Sequence, residues 1–484
     1  MSQAVAADNQ GYDATNGNHE LGVKNSMSFS SRMKMNASIL LEWRDVDYHM
    51  MVKSPVRSSF MKTVYDTKHI LKGINGSAKS GELLAIMGPT GCGKTSLLNV
   101  LAARAPTGNQ QFAQLTGNIY VNGKPREDER FRNLSAYVLQ DDKLFPHLTV
   151  YETLIIAAHF YLPSDITLEE KEQLVDDVIA ELGLTKARNT IIGDDKIRGV
   201  SGGERRRANI ATQLITNPAV LFLDEPTSGL DSFQAQSVME AMKSMAENNR
   251  LVISVIHQPR SSIYDMFDRL LLLSEGMTMY FGNLHPAVDY FKEAGYPCPA
   301  HFNPSDFFLD VLSPDNRTPE LEESARNRIA FFDERWRARE RELSLERPEE
   351  HDLDVKPRKL DVKRVVDNFK ILCWRSFAEQ SRDLTTLRTK FITASFFGLI
   401  IGGIYSGNHL DQQGIQNRIG ILFLITINQT FNPMFAVINV FPKEKIIVYR
   451  YLFFTCRSTF ADFLKGTFSE GVRNHVILPG EVFR

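Results

Sequence analysis

Cysteine is scarce. Four residues, Cys92, Cys298, Cys373 and Cys456, stand far apart in a chain of 484. They form neither a disulfide framework nor a metal-binding pattern, as expected for a reducing compartment. Charge excess is lacking too: 56 basic residues meet 58 acidic ones, a net charge of −2. A large nucleic-acid footprint needs a clear basic surplus, so no nucleic-acid partner is expected. No secretory signal opens the chain. Residues 1–38 are polar and rich in Asn, Ser and Gly, which predicts a disordered tail. The length suits two or three domains.

What is present is organised around Gly88-Pro89-Thr90-Gly91-Cys92-Gly93-Lys94-Thr95, which matches the phosphate-binding pattern G-x-x-x-x-G-K-[ST]. Leu83 to Met87 reads as a buried strand before it, and Ser96 to Arg104 as a helix after it. The pattern needs that strand–loop–helix context. Glycines let the backbone wrap a phosphate, and N–H groups of the loop and helix start point at it. Gly88 through Thr95, with Ser96 at the helix start, form the candidate phosphate cradle. Lys94 is expected to reach the outer phosphates and the Thr95 hydroxyl to bind Mg²⁺. Cys92 reads as a small residue that fits the loop. Tyr65, just upstream, is open to two readings: an adenine-stacking ring or an ordinary half-buried aromatic.

Along the chain, Ile39 to Val52 alternates as an edge strand would. Gly117 to Gly123 reads as a strand ending in an Asn-Gly turn, and Ala136 to Asp142 as a strand with a polar tip. Residues 147–183 read as mostly helical. Val200-Ser201-Gly202-Gly203-Glu204 opens a helix to about Thr216, with Ser201 as its cap, and makes a second anion-binding candidate.

Ala219-Val220-Leu221-Phe222-Leu223 is wholly apolar, fit for a central parallel strand, and ends in Asp224-Glu225. Carboxylates at the C-terminal end of a buried strand lie where α/β sheets place ligands. Asp224 is expected to hold Mg²⁺, and Glu225 to orient or activate an attacking water. Leu251 to Ile256 is another buried strand, capped by His257, whose expected role is a γ-phosphate contact.

From 313 to 364 Glu, Arg, Asp and Lys dominate, which predicts a charged helix and linker at a domain boundary. Val365 to Leu384 looks amphipathic. Charge then disappears: residues 391–408 and 419–441 carry none. Each is near the roughly 20 residues a membrane helix needs. Arg382, Arg388 and Lys390 precede the pair, and Lys443, Lys445 and Arg450 follow it, so both ends are expected in the cytosol. Asn428, Gln429 and Asn432 in the second stretch are expected to face other helices or a substrate path.

In order, the phosphate loop, Gln140, Val200 to Glu204, Leu223-Asp224-Glu225-Pro226, Ser228-Gly229-Leu230-Asp231 and His257 resemble the motifs of ABC transporters. His257-Gln258-Pro259-Arg260, Asn303 to Phe307, and the order of nucleotide domain before spans resemble the G subfamily, the White/Brown and pleiotropic-drug-resistance type. The resemblance covers about Ile39 to Arg450. It implies an α/β P-loop NTPase domain over 39–312, followed by a helical transmembrane segment over 365–450. It implies ATP and Mg²⁺ as ligands, with Gln140 as a catalytic residue that couples Mg²⁺ to the membrane domain. Ser201, Gly202 and Gly203 would close over an ATP held by a partner subunit, and Asp231 would sit at the dimer seam. Lys94, Glu225 and His257 are all present, which fits a half-transporter pairing as a homodimer or heterodimer.

The implied activity is ATP-driven export of lipids, sterols, pigments or drugs across a bilayer. The protein would be multi-pass, with its nucleotide domain in the cytosol. One departure is expected to matter: the family implies six spans, the chain shows two, and residues 451–484 form an atypical tail. The alternative reading is therefore a truncated, transport-incompetent subunit that regulates full-length partners by dimerising with them.

Overall fold

A computed structural model of the chain describes residues 38–53, 65–105, 113–163, 165–194, 196–315, 317–342, 362–404, 412, 414–428, 430, 431 and 434. The tail over 1–37 and residues 435–484 lie outside the described residues.

Two sheets form the first part. Strands β1 (Leu40–Lys53), β2 (Tyr65–Lys79), β4 (Ala113–Val121) and β5 (Lys124–Pro125) make an antiparallel sheet in the order β2-β1-β4-β5. β1 is therefore an interior strand, not the edge strand its alternation suggested. Alternation reports one wet face and one buried face, and a central strand of a one-sided sheet satisfies it equally. The face turned inward carries Leu41, Trp43, Val46 and Tyr48, all buried. Gly76 is what lets Trp43 lie flat across β2, because a Cβ there would collide with the indole.

The second sheet holds β3 (Leu83–Met87), β6 (Ser135–Val138), β7 (Val220–Asp224), β8 (Leu251–Val255), β9 (Arg269–Ser274) and β10 (Met277–Asn283), in the order β10-β9-β3-β8-β7-β6. β9, β3, β8, β7 and β6 run parallel, and β10 closes one edge antiparallel. β3, β7 and β8 are buried along their whole length. That burial is why their sequences are unbroken apolar runs rather than alternating ones.

Helices α1 (Lys94–Leu101), α2 (Asp128–Leu134), α3 (Val150–Tyr161), α4 (Leu168–Glu181), α5 (Gly202–Leu214), α6 (Ser232–Glu247), α7 (Ser261–Tyr264), α8 (Pro286–Glu293) and α9 (Pro304–Leu312) complete this α/β domain. Three of them start with a reciprocal capping box: Thr149 with Glu152, Thr167 with Glu170, and Ser201 with Glu204. Each box satisfies two otherwise unpaired N–H groups at a helix start.

The charged stretch after 313 contains α10 (Pro319–Glu342). Ala325, Ile329, Phe332 and Trp336 are buried on one side of it. Trp336 packs on Tyr280 of β10 and Tyr290 of α8, and Phe332 on Phe291. This helix is thus joined to the α/β domain by an aromatic cluster.

α11 (Val362–Arg382) and α12 (Leu384–Ile404) follow, broken at Asp383, whose carboxylate accepts the Thr386 N–H and caps α12. Among the described residues α12 is the one helix long and apolar enough to cross a membrane, and none of its residues is buried. It begins earlier than the span expected over 391–408, taking Arg388 and Lys390 into its first turns; long basic side chains can snorkel to the interface from there. Residues 414–428 are helical. Of the second expected span, 429, 432, 433 and 435–441 lie outside the described residues, Gln429 and Asn432 among them. Cys92, Cys298 and Cys373 are free thiols, and Cys456 lies outside the described residues.

Candidate functional site: one edge of the parallel sheet

β3, β8, β7 and β6 are consecutive parallel neighbours, so their C-terminal ends share one edge. The glycine-rich loop leaves β3, Asp224-Glu225 ends β7, His257 follows β8 and Gln140 follows β6. Strand polarity alone therefore gathers residues that lie more than a hundred positions apart.

The loop depends on its glycines. Gly88 has φ 151°, and a Cβ there would collide with the Leu273 carbonyl. Gly93, at φ 105°, is the left-handed residue from which α1 starts. Lys94 is buried at 6% exposure and folds back over the loop. Its ammonium donates to the carbonyls of Gly88 (2.8 Å) and Pro89 (2.9 Å). Among the described residues it has no carboxylate partner. Cys92 is buried in the same loop, and burial pushes its thiol above the ordinary value.

Two cross-strand pairs tie the edge together. The Thr95 hydroxyl donates to Asp224 Oδ1 (3.0 Å), and the Gln140 amide donates to Glu225 Oε2 (2.8 Å). Asp224 is buried, and desolvation raises its carboxyl above the ordinary value despite the Thr95 hydrogen bond. Tyr137 donates to its other oxygen (3.4 Å), and burial raises the phenol well above its usual value. Glu225 turns away from β7 with a left-handed backbone, φ 46°, as does Gln258 after β8, φ 45°. The His257 imidazole lies with Nε2 3.2 Å from Thr90 Oγ1. Ser96 sits half-buried in the first turn of α1, and Tyr65 is exposed.

A desolvated carboxylate calls for a cation, and a buried ammonium without an acid partner calls for an anion. The paired Thr95 hydroxyl and Asp224 carboxylate are oxygen donors of the kind Mg²⁺ takes. The residues present thus fit a magnesium–triphosphate ligand.

Ser201, Gly202, Gly203 and Asp231 form a second group. Ser201 caps α5, accepting from the Glu204 N–H (3.2 Å), and Asp231 caps α6, accepting from the Gln234 N–H (2.8 Å). Gln234 joins the two by accepting from the Gly203 N–H (3.0 Å). Among the described residues no hydrogen bond links these four to the phosphate loop.

Sequence reasoning missed Arg206. This guanidinium is 2% exposed and donates to the carbonyls of Leu139, Gln140, Asp224, Glu225 and Pro226 and to Asp142 Oδ1 (2.7 Å). It holds the ends of β6 and β7 at fixed spacing. The signal was available: Arg206, Ile210 and Leu214 recur every four residues, which puts Arg206 on the buried face of α5.

Residues 71–228 match the family described as ABC transporter, and residues 367–478 match ABC-2 type transporter, as do residues 257–334. Broad substrate specificity ATP-binding cassette transporter ABCG2 of Sus scrofa is 39% identical over 453 residues, 88% of this chain and 67% of that protein. The chain belongs to the G subfamily of ABC transporters. ABC transporter G family member 7 of Arabidopsis thaliana is 36% identical over 85% of this chain and 56% of its own length. Protein white of Drosophila melanogaster is 38% identical over 78% of this chain and 55% of its own length. The chain thus spans 55% to 67% of the length of these relatives. The family likeness, expected to stop at Arg450, runs on to residue 478. A G-subfamily ABC protein with an ABC-2 membrane match is a membrane protein.

Proposed function

We propose that this chain is the ATP-binding and ATP-hydrolysing subunit of a dimeric exporter for lipids, sterols, pigments or drugs. The observation that carries the reading is the pairing of Thr95 with Asp224 and of Gln140 with Glu225 along one sheet edge. Gly88 to Thr95 and Ser96 bind the triphosphate, with Lys94 as the point charge for its outer oxygens. Thr95, Asp224 and Gln140 hold Mg²⁺, which supplies neutralising charge to the phosphate oxygens. Glu225 orients the attacking water and takes its proton at a carboxylate oxygen. His257, held beside Thr90, steadies the γ-phosphate.

Ser201, Gly202, Gly203 and Asp231 serve the nucleotide of a second subunit. That dimeric reading rests on membership of the G subfamily, with an identical chain or another half-transporter as partner. The domain over 39–312, extended by the packed helix α10, faces the cytosol, and the segment over 365–450 enters the bilayer more than once. Arg382, Arg388 and Lys390 on the near side of the span support that orientation.

The test uses the full chain in lipid. Glu225→Gln should keep MgATP binding and lose about 10²–10⁴-fold in turnover. Lys94→Ala should lose tight binding altogether. ATP-dependent uptake of a lipid and drug panel into inside-out vesicles, scored against Glu225→Gln, tests export. Unchanged turnover in Glu225→Gln would overturn the assignment of the base, and uptake equal in both chains would overturn export.

A further inference from the structure

We propose that Asp47, His49 and His69 form a binding site for a divalent cation of the zinc class on the antiparallel sheet. Their ligand atoms all lie within 4.8 Å of one another. Asp47 Oδ1 is 2.7 Å from His69 Nε2, and the imidazoles of His49 and His69 stack with centroids 3.9 Å apart and planes 22° off parallel. Ligand atoms around a tetrahedral zinc stand roughly 3.4 Å apart, from bond lengths near 2.1 Å. The cluster is therefore within small side-chain rotations of a coordinating set.

The backbone builds this arrangement. Asp47 and His49 are two apart on β1 and share the half-exposed face, while Tyr48 between them points into the core. Across the ladder Tyr48 pairs with Leu71 and His49 pairs with His69, so Ile70 is an extra residue on β2. In a regular ladder His49 would face Ile70. The bulge instead brings a second imidazole opposite the first, and bulges are a common device for re-aiming a side chain. Among the described residues the His49 side chain makes no hydrogen bond, so its ring nitrogens are available as ligands. Two imidazoles and one carboxylate suit zinc and its first-row neighbours, not magnesium or calcium, which prefer all-oxygen sets. Three protein ligands leave a fourth position for water. A bound ion would cross-link β1 to β2 one residue before Ile70, whose carbonyl lies close to Gly93 of the phosphate loop.

The test uses the full chain in detergent, stripped with chelator and titrated with Co²⁺ and then Zn²⁺. The parent should take up one equivalent with visible d–d absorption of a four- or five-coordinate ion. The double variant His49→Gln/His69→Gln should lack that equivalent, and Asp47→Asn should bind it at least about tenfold more weakly. Zinc should raise the melting temperature of the parent and not that of the double variant, with both melting alike in chelator, which shows that the variant folds. Equal stoichiometry and affinity in parent and double variant, or no uptake by the parent at millimolar metal, would leave only a His–Asp ion pair and overturn the proposal.

Discussion

Arg206 donates to six acceptors, five of them backbone carbonyls at or just past the ends of β6 and β7. Lysine carries the same charge but is a point donor on a flexible stem, and it cannot span acceptors on two strand ends. Arg206→Lys should therefore destabilise the α/β domain by about 3–5 kcal/mol, the range for breaking a buried charged network. Denaturant unfolding of the solubilised chain checks this, and an unchanged midpoint would show that the network is dispensable. The contrast with Lys94 explains what was legible. Lys94 is announced by a contiguous motif whose chemistry is local. Arg206 stands in a run of three arginines that reads as a solvated patch, and only its four-residue phase with Ile210 and Leu214 marks it as buried. Glu225 was found from sequence as the acid after an apolar strand. Its left-handed backbone was not, because nothing in Asp-Glu-Pro demands a positive φ.

Among the elements, α10 shows how composition conceals packing. Its buried positions, 325, 329, 332 and 336, follow a helical stripe of four, three and four residues. Charges dominate any window average, so the stretch read as a charged helix and linker whose packing against the α/β domain was not foreseen. Trp336→Ala should cost about 3–5 kcal/mol, while Glu334→Ala on the exposed face should stay within about 0.5 kcal/mol. Melting temperatures of the two variants decide it, and equal melting would mean α10 is merely laid on the surface. A second element-scale contact joins α11 to α3. Arg382 grips Glu152 with both nitrogens, at 2.6 and 2.7 Å, and also donates to the His147 carbonyl (3.0 Å). The hydrogen bond from Arg382 holds the Glu152 carboxyl below its ordinary value. A depressed carboxyl contributes stability that is complete above the unfolded value, near 4.3, and lost as pH falls through the folded one. Hydrogen-exchange protection of α11, corrected for intrinsic rates, should thus hold from about pH 8 to 5.5 and decline only below about pH 4. Loosening between pH 7 and 5.5 would overturn the assignment of the contact to Glu152.

At the scale of the whole molecule, the sequence disclosed both parts and their order but little of how the strands assemble. Buried parallel strands are recognisable as apolar runs, yet the order β10-β9-β3-β8-β7-β6 is a matter of long-range pairing that no local window contains. The charge-free run expected over 391–408 was legible, and it falls in the long apolar helix α12; that helix begins at Leu384 because Arg388 and Lys390 continue it without a break. The order along the chain has a consequence for synthesis. The last sheet strand ends at Asn283, about 100 residues before α12 begins at Leu384. At about 5–20 residues per second, a ribosome takes roughly 5–20 s to cover that distance. Mixed α/β domains close faster than that. The sheet edge proposed to receive the nucleotide can therefore be complete while α12 is still being made, and the α/β domain folds before that helix leaves the ribosome. Ribosome-bound chains arrested at residue 384 should already hold a protease-resistant domain, and digestion of that domain to small fragments would mean that the bilayer comes first. A defect in α12 would then leave behind a folded ATP-binding domain rather than an unfolded chain, and quality control would have to recognise it by its bare apolar helix alone.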